Sequence, residues 1–276
     1  MFAHCARPFF VAATTLVLTW GGASLDAQGR DEVTGFNADV DGFSVLPFWN
    51  AEQSPADFLD IVGKNTKARW RQLYRQQPPT PPPDRAKAAF ILGGLVGDSF
   101  LVMTAADTQQ FRNNNQEVLT YCKMLGVGEP AAPRLMAQAK MAEMGNWVDL
   151  REEIIAGHAE LTRLLTEQRD GDLSVLVDLG VWLRVLEAVS AVVSDTPDAD
   201  IRQLCIGSPS LLRDLRTQFA TLSEPMQTDP LIKKVDQTLR QVENLWLSVD
   251  EDRPTQSTVV KTHAKLKELM ESLTLK

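Results

Sequence analysis

The chain has 276 residues, 44% of them hydrophobic and 23% charged, with a formal net charge of -8. So acidic a chain lacks the basic face that nucleic acid or anionic lipid demands, which excludes both as expected partners. Its length suffices for one large helical core or two smaller ones.

Residues 1–27 read as a signal peptide. Arg7 supplies a short basic start, Pro8 to Trp20 an apolar stretch, and Gly21 to Ala27 the small residues at which a signal peptidase would cut. The expectation is an exported protein, periplasmic or extracellular, with no stable membrane insertion after cleavage. Cys5 precedes the apolar stretch and so is not the acylated cysteine of a lipoprotein. Residues 28–53 form an irregular N-terminal arm, mixing Gly, Asp and Asn with Phe36, Phe43, Phe48 and Trp49.

Ser54-Pro55-Ala56-Asp57 combines a cap, a first-turn proline and an acid, which predicts a helix over 54–75. Its Phe58, Val62, Trp70, Leu73 and Tyr74 make an uneven inward stripe, and Lys64, Lys67, Arg69, Arg71 and Arg75 cover the outside. Residues 76–84, QQPPTPPPD, cannot be helix; five prolines make a stiff polyproline II linker to a main domain over 85–276.

Asp84 then caps an apolar helix, Arg85 to Ala106, interrupted by Gly93, Gly94 and Gly97. Each glycine lowers helix propensity by roughly 1 kcal/mol relative to Ala, so Gly93 and Gly97 are read as a packing face for another helix. Asp98, if buried, needs a cation, with Arg112 and Arg184 as candidates. Asp107 with Gln110 opens a helix that stops at Gly126. Residues 126–130 read as a loop, Pro133 as the start of a short helix to Gly145, and Asn146 with Asp149 as the cap of a helix from Trp147 to Gln168.

The run from Asp172 to Val193 is apolar nearly all round, and we read it as the central helix. Gly93, Gly97 and Trp182 are assigned to the structural core. In a bilayer Asp178 and Arg184 would each cost about 2.5 to 3.5 kcal/mol and Glu187 would add to that, which argues for a soluble core helix over a membrane span. Thr196-Pro197, Ser208-Pro209 and Asp229-Pro230 open further helices by the same cap-plus-proline device. The last helix starts near Ser257 and pairs with its predecessor. The fold class is therefore all-α, a helical bundle or paired-helix array of about nine to ten helices.

The chemistry-bearing residues are sparse. No G-x-S-x-G elbow, H-E-x-x-H or C-x-x-C occurs, so no catalytic motif is present and no cofactor is expected. The weak metal candidates are Met136, Met141, Met144 and His158, soft thioethers and an imidazole of the kind that holds copper or haem iron. Met136 and Met144 lie more than two turns apart, too far for one ion to bridge easily. Cys122 and Cys205 form a possible disulfide, with burial as two small hydrophobes the alternative. The leading expectation is a non-catalytic binding or scaffolding module of the cell envelope, whose partner is another envelope protein or a small ligand. The alternative is a small-ligand, copper or haem carrier with its site inside the bundle.

Overall fold

The computed structural model describes residues 54–75, 80–206, 210–247 and 254–273. The signal peptide, the arm, part of the proline run and the Ser208-Pro209 cap lie outside the described residues. All described residues belong to one compact unit, Leu46–Lys276. Among them are eleven α-helices, nine of seven residues or more, and no strand. The all-α expectation holds.

The first helix, α1 (Pro55–Asn65), opens on a complete capping box between Ser54 and Asp57. It ends ten residues earlier than the sequence suggested. Asn65 Nδ2 donates to the Ile61 carbonyl at 2.8 Å and Thr66 Oγ1 to that of Val62 at 2.7 Å, so side chains satisfy carbonyls that another helical turn would have taken. The chain then runs extended through Thr66 and tightens into a 3-10 turn at Trp70–Leu73, with Trp70 buried. Phe58, Leu59 and Val62 enter the same core as the later helices, so the proline-rich stretch connects parts of one body.

Five long helices follow: α2 (Arg85–Thr104), α3 (Thr108–Met124), α4 (Gly128–Glu143), α5 (Trp147–Glu167) and α6 (Gly171–Ser194). Three residues separate each from the next, and all four turns are alike. The second residue of each, Ala106, Gly126, Gly145 or Arg169, has φ between 48° and 84°. The third donates its N–H five residues back, as Asp107 does to Val102 and Asn146 to Met141. These are Schellman stops, and the same third residue stands at the N-cap of the next helix. So short a turn between packed helices makes each neighbouring pair antiparallel. The predicted loop at 126–130 is thus only the turn, and α4 begins five residues before Pro133. Pro130 stands in the first turn, where N–H groups have no helical acceptor, and Pro133 is accommodated inside the helix.

Four reversals leave α2 and α6 parallel, and they pack on each other. Arg85 meets Asp170 at one end, Gly93 lies against Val177 and Gly180 further along, and Gly97 against Val181 and Arg184. The backbones nearly touch. A Cβ on Gly93 would lie 2.1 Å from the Val177 carbonyl oxygen, and one on Gly180 2.3 Å from that of Phe90. Gly93 and Gly97 therefore form the packing face predicted for them, and Gly180 supplies the other half. Gly94 faces elsewhere, towards Met270 and Arg75. Seventeen of the twenty residues of α2 are buried, so it shares the centre with α6. By length and composition alone α2 is apolar enough to cross a membrane, but here its surface is covered by protein. Trp182 is only partly buried, packed on the outside of the core.

The remaining helices are α7 (Ala199–Arg202), α8 (Leu211–Ala220), α9 (Glu224–Thr228), α10 (Pro230–Leu247) and α11 (Gln256–Ser272); α7, α8 and α11 pack on α6, and α10 packs on α8, α9 and α11. The expected pairing of the last two is present, with Trp246 Nε1 donating to Thr262 Oγ1 at 3.1 Å.

Candidate functional site

Near the middle of the α2–α6 seam lies a cluster of four charges. Arg184 is fully buried; its Nε donates to Asp98 Oδ1 at 2.5 Å, its Nη1 to Glu187 Oε2, and its Nη2 to the Leu73 carbonyl at 2.5 Å. Burial opposes the charge on Arg184, but the two carboxylates outweigh it and raise its pKa. Arg75 sits further off, at 3.8 Å from Asp98 Oδ2 and 4.0 Å from Glu187 Oε2. Burial, reinforced by Arg184, lowers its pKa. Beyond Glu187, Ser190 Oγ donates to the Glu187 carbonyl at 2.8 Å, and His263 Nδ1 lies 3.3 Å from both. Ser190 is fully buried, so its hydroxyl is no accessible nucleophile. The cluster has two cations and two acids and binds the 3-10 turn to the core; it is a structural joint.

Of the two cation candidates for Asp98, Arg184 is the one used. Arg112 pairs instead with Glu143 at 2.8 Å.

The candidate metal residues are dispersed. Met136 and Met144 are 65% and 67% exposed, while Met141 packs partly buried against the core. His158 Nε2 lies 2.7 Å from Asp178 Oδ1, though without the alignment of a hydrogen bond. His158 lines a cavity of about 40 Å³ between α2, α3, α4 and α5, with Cys122 and Gln138 among its other walls and none of the three methionines. That is room for a few waters and far too little for a haem.

Cys122 and Cys205 are both buried free thiols, so the possible disulfide is not formed in the structure. Cys122 stands on α3 against Phe111 and Val118, and Cys205 in the 3-10 turn after α7. Each is surrounded by the core and fills it as a small hydrophobe. Burial pushes the Cys122 thiol up to about 12 and raises Cys205 as well. A thiol whose folded pKa exceeds its ordinary 9.0 contributes stability that is complete below pH 9 and is lost as pH rises towards the folded value. The melting temperature is therefore expected to fall between about pH 9 and 12, and to fall less in the Cys122→Ala/Cys205→Ala variant than in the parent. Equal alkaline slopes in the two proteins would remove the thiols from the account.

One opening among the described residues was not foreseen. It is a cleft of about 750 Å³ between the segment 64–73 and the C-terminal end of α6, continuing past Pro197 to Ile201. Leu73, Val192 and Ile201 supply apolar wall, and Lys64, Lys67 and Arg69 line it as well. Among the described residues these three cations have no ionic partner. The sequence placed them on the outer face of one continuous helix. Because α1 stops at Asn65, the same residues become the wall of a cleft. The signal that could have shown this was Asn65-Thr66, a pair that favours side-chain capping over helix propagation.

No family model, curated protein or solved structure matches the chain.

Proposed function

We propose that this is an exported, non-catalytic binding or scaffolding module of the cell envelope, and that the cleft beside residues 64–73 is where it takes its partner. One observation carries the reading. Around Arg184 the core charges lie in ion pairs with one another, whereas among the described residues the three cations of the cleft have no ionic partner. A cleft of this volume is in the range of sites that accept a ligand or a protein segment. The signal-like first 27 residues support export. The carrier alternative gains no support from the geometry, because the methionine candidates stand apart from the cavity at His158.

The test has two parts. Fractionated cells are expected to release a protein starting near Gln28, soluble without detergent and lacking stoichiometric copper or haem absorbance. A photo-crosslinking residue at Gln72, inside the cleft, is expected to give a discrete adduct in intact cells, while one at Thr166, exposed at the C-terminal end of α5 and so at the opposite end of α6 from the cleft, does not. Carbonate-resistant membrane recovery, one copper per chain, or no adduct specific to Gln72 would overturn the reading.

A further inference from the structure

We infer that the cleft binds an extended acidic peptide segment of a partner protein, one that alternates carboxylate with apolar side chains. The inference rests on the proposed binding role and names the chemistry of the partner. Three features of the cleft point to it.

The first is charge. Lys64, Lys67 and Arg69 face one lining acid, Asp195, so the cleft carries three positive charges against one negative in a chain of net charge -8. Local charge opposite to that of the whole molecule selects an anionic ligand and steers it to this place. The second is the apolar wall. Leu73, Val192 and Ile201 are half-buried along the cleft, which gives apolar side chains a place to pack. A small inorganic anion would engage the cations and leave this wall unused. A nucleic acid would need more cations and a stacking aromatic, and among the described residues no aromatic lines the cleft.

The third is the backbone. Between Thr66, extended at φ -131° and ψ 165°, and the turn at Trp70, residues 67–69 belong to no helix. Among the described residues neither Lys67 nor Ala68 makes any hydrogen bond. An exposed stretch of unpaired backbone is a template for another extended strand. Main-chain hydrogen bonds would supply affinity, while alternate side chains reach the cations and the apolar wall. The segment is held in place from both sides, since Thr66 is tied to α1 and the Leu73 carbonyl to Arg184. It is preorganised, which lowers the ordering cost of binding.

The experiment titrates the mature chain into a fluorescently labelled short peptide alternating Asp or Glu with Val or Leu, followed by anisotropy. Saturable binding is expected, weakening as salt is raised. In the Lys64→Glu/Lys67→Glu/Arg69→Glu variant, affinity should fall about tenfold or more, since each exposed ion pair accounts for up to a few-fold. These side chains are exposed, and an unchanged helical circular dichroism spectrum confirms that the variant folds. A peptide N-methylated at alternate positions should also bind more weakly, which a purely ionic attraction would not produce. The inference is overturned if the peptide does not saturate, if a version with Lys in place of its acids binds equally well, or if the triple variant retains parental affinity. It is equally overturned if sodium dodecanoate saturates the cleft while the peptide does not. In each of these cases a crosslinked adduct from Gln72 would still uphold a binding role, so the two failures are distinguishable.

Discussion

Gly93→Ala is expected to destabilise the protein by about 3 kcal/mol or more, and Gly180→Ala by a similar amount, the upper end of what overpacking costs in a core. The new methyl group at residue 93 would stand 2.1 Å from a carbonyl oxygen, and backbone cannot turn aside as a side chain can. The two helices would have to move apart along their whole seam, losing dispersion contacts on both sides. Gly97→Ala should cost less, about 1 kcal/mol, because its methyl would meet Arg184 Cβ and Cγ and the Val181 carbonyl at 3.1 Å, where a shift of a few tenths of an ångström suffices. Gly97→Leu would belong with the severe class. Denaturant melts of the three alanine variants rank them, and a Gly93→Ala midpoint equal to that of the parent would show that the backbones are not in contact.

Arg184→Met carries the other large effect. Removing the guanidinium leaves Asp98 and Glu187 buried with only the more distant Arg75 nearby, and breaking a buried ion pair from one side costs about 3 to 5 kcal/mol. The cost arises mainly from the acids left behind. Adding Asp98→Leu, Glu187→Leu and Arg75→Met to Arg184→Met, which leaves no charge of the cluster behind, should therefore recover most of the loss, as well-packed apolar residues often replace buried ion networks at little cost. If the quadruple variant is less stable than Arg184→Met alone, the cluster contributes net stability beyond mutual neutralisation. A loss below about 1 kcal/mol in Arg184→Met would mean that the acids reach solvent and the cluster is not buried.

Much of this architecture is legible in local chemistry. Ser54, Asp84, Asp107 and Asn146 each announce a helix start, because an N-cap is satisfied by residues two or three positions on. The glycines of α2 announce a close neighbour for a similar reason, since their propensity cost has no local compensation. What sequence could not show depends on residues far apart in the chain. Gly180 looks like one more small residue until Phe90 and Gly93 are placed against it. The cleft joins residues 64–73 to residues 191–201, and no period or motif relates them. Pro133 misled in another way: proline usually marks a boundary, but here α4 has already been started at Gly128, close against Lys123. Ala106 and Arg169 take the positive φ at two of the four turns although neither is glycine, and there the break was legible from the capping residues that follow, Asp107 and Asp170.

Parallel helices cannot be joined by a short turn, so the tight seam between α2 and α6 has a consequence for the order in which the chain assembles. The three helices that intervene connect through turns whose hydrogen bonds span only a few residues, and such elements form early and at small entropic cost. The seam instead brings together positions such as Asp98 and Arg184, 86 residues apart, and must await closure of that whole loop. Until then the most apolar surfaces of the protein, those of α2 and α6, lie unmatched. Closure buries both at once and pairs Asp98 with Arg184 in the same event, which couples the burial of the central helices to the neutralisation of their charges.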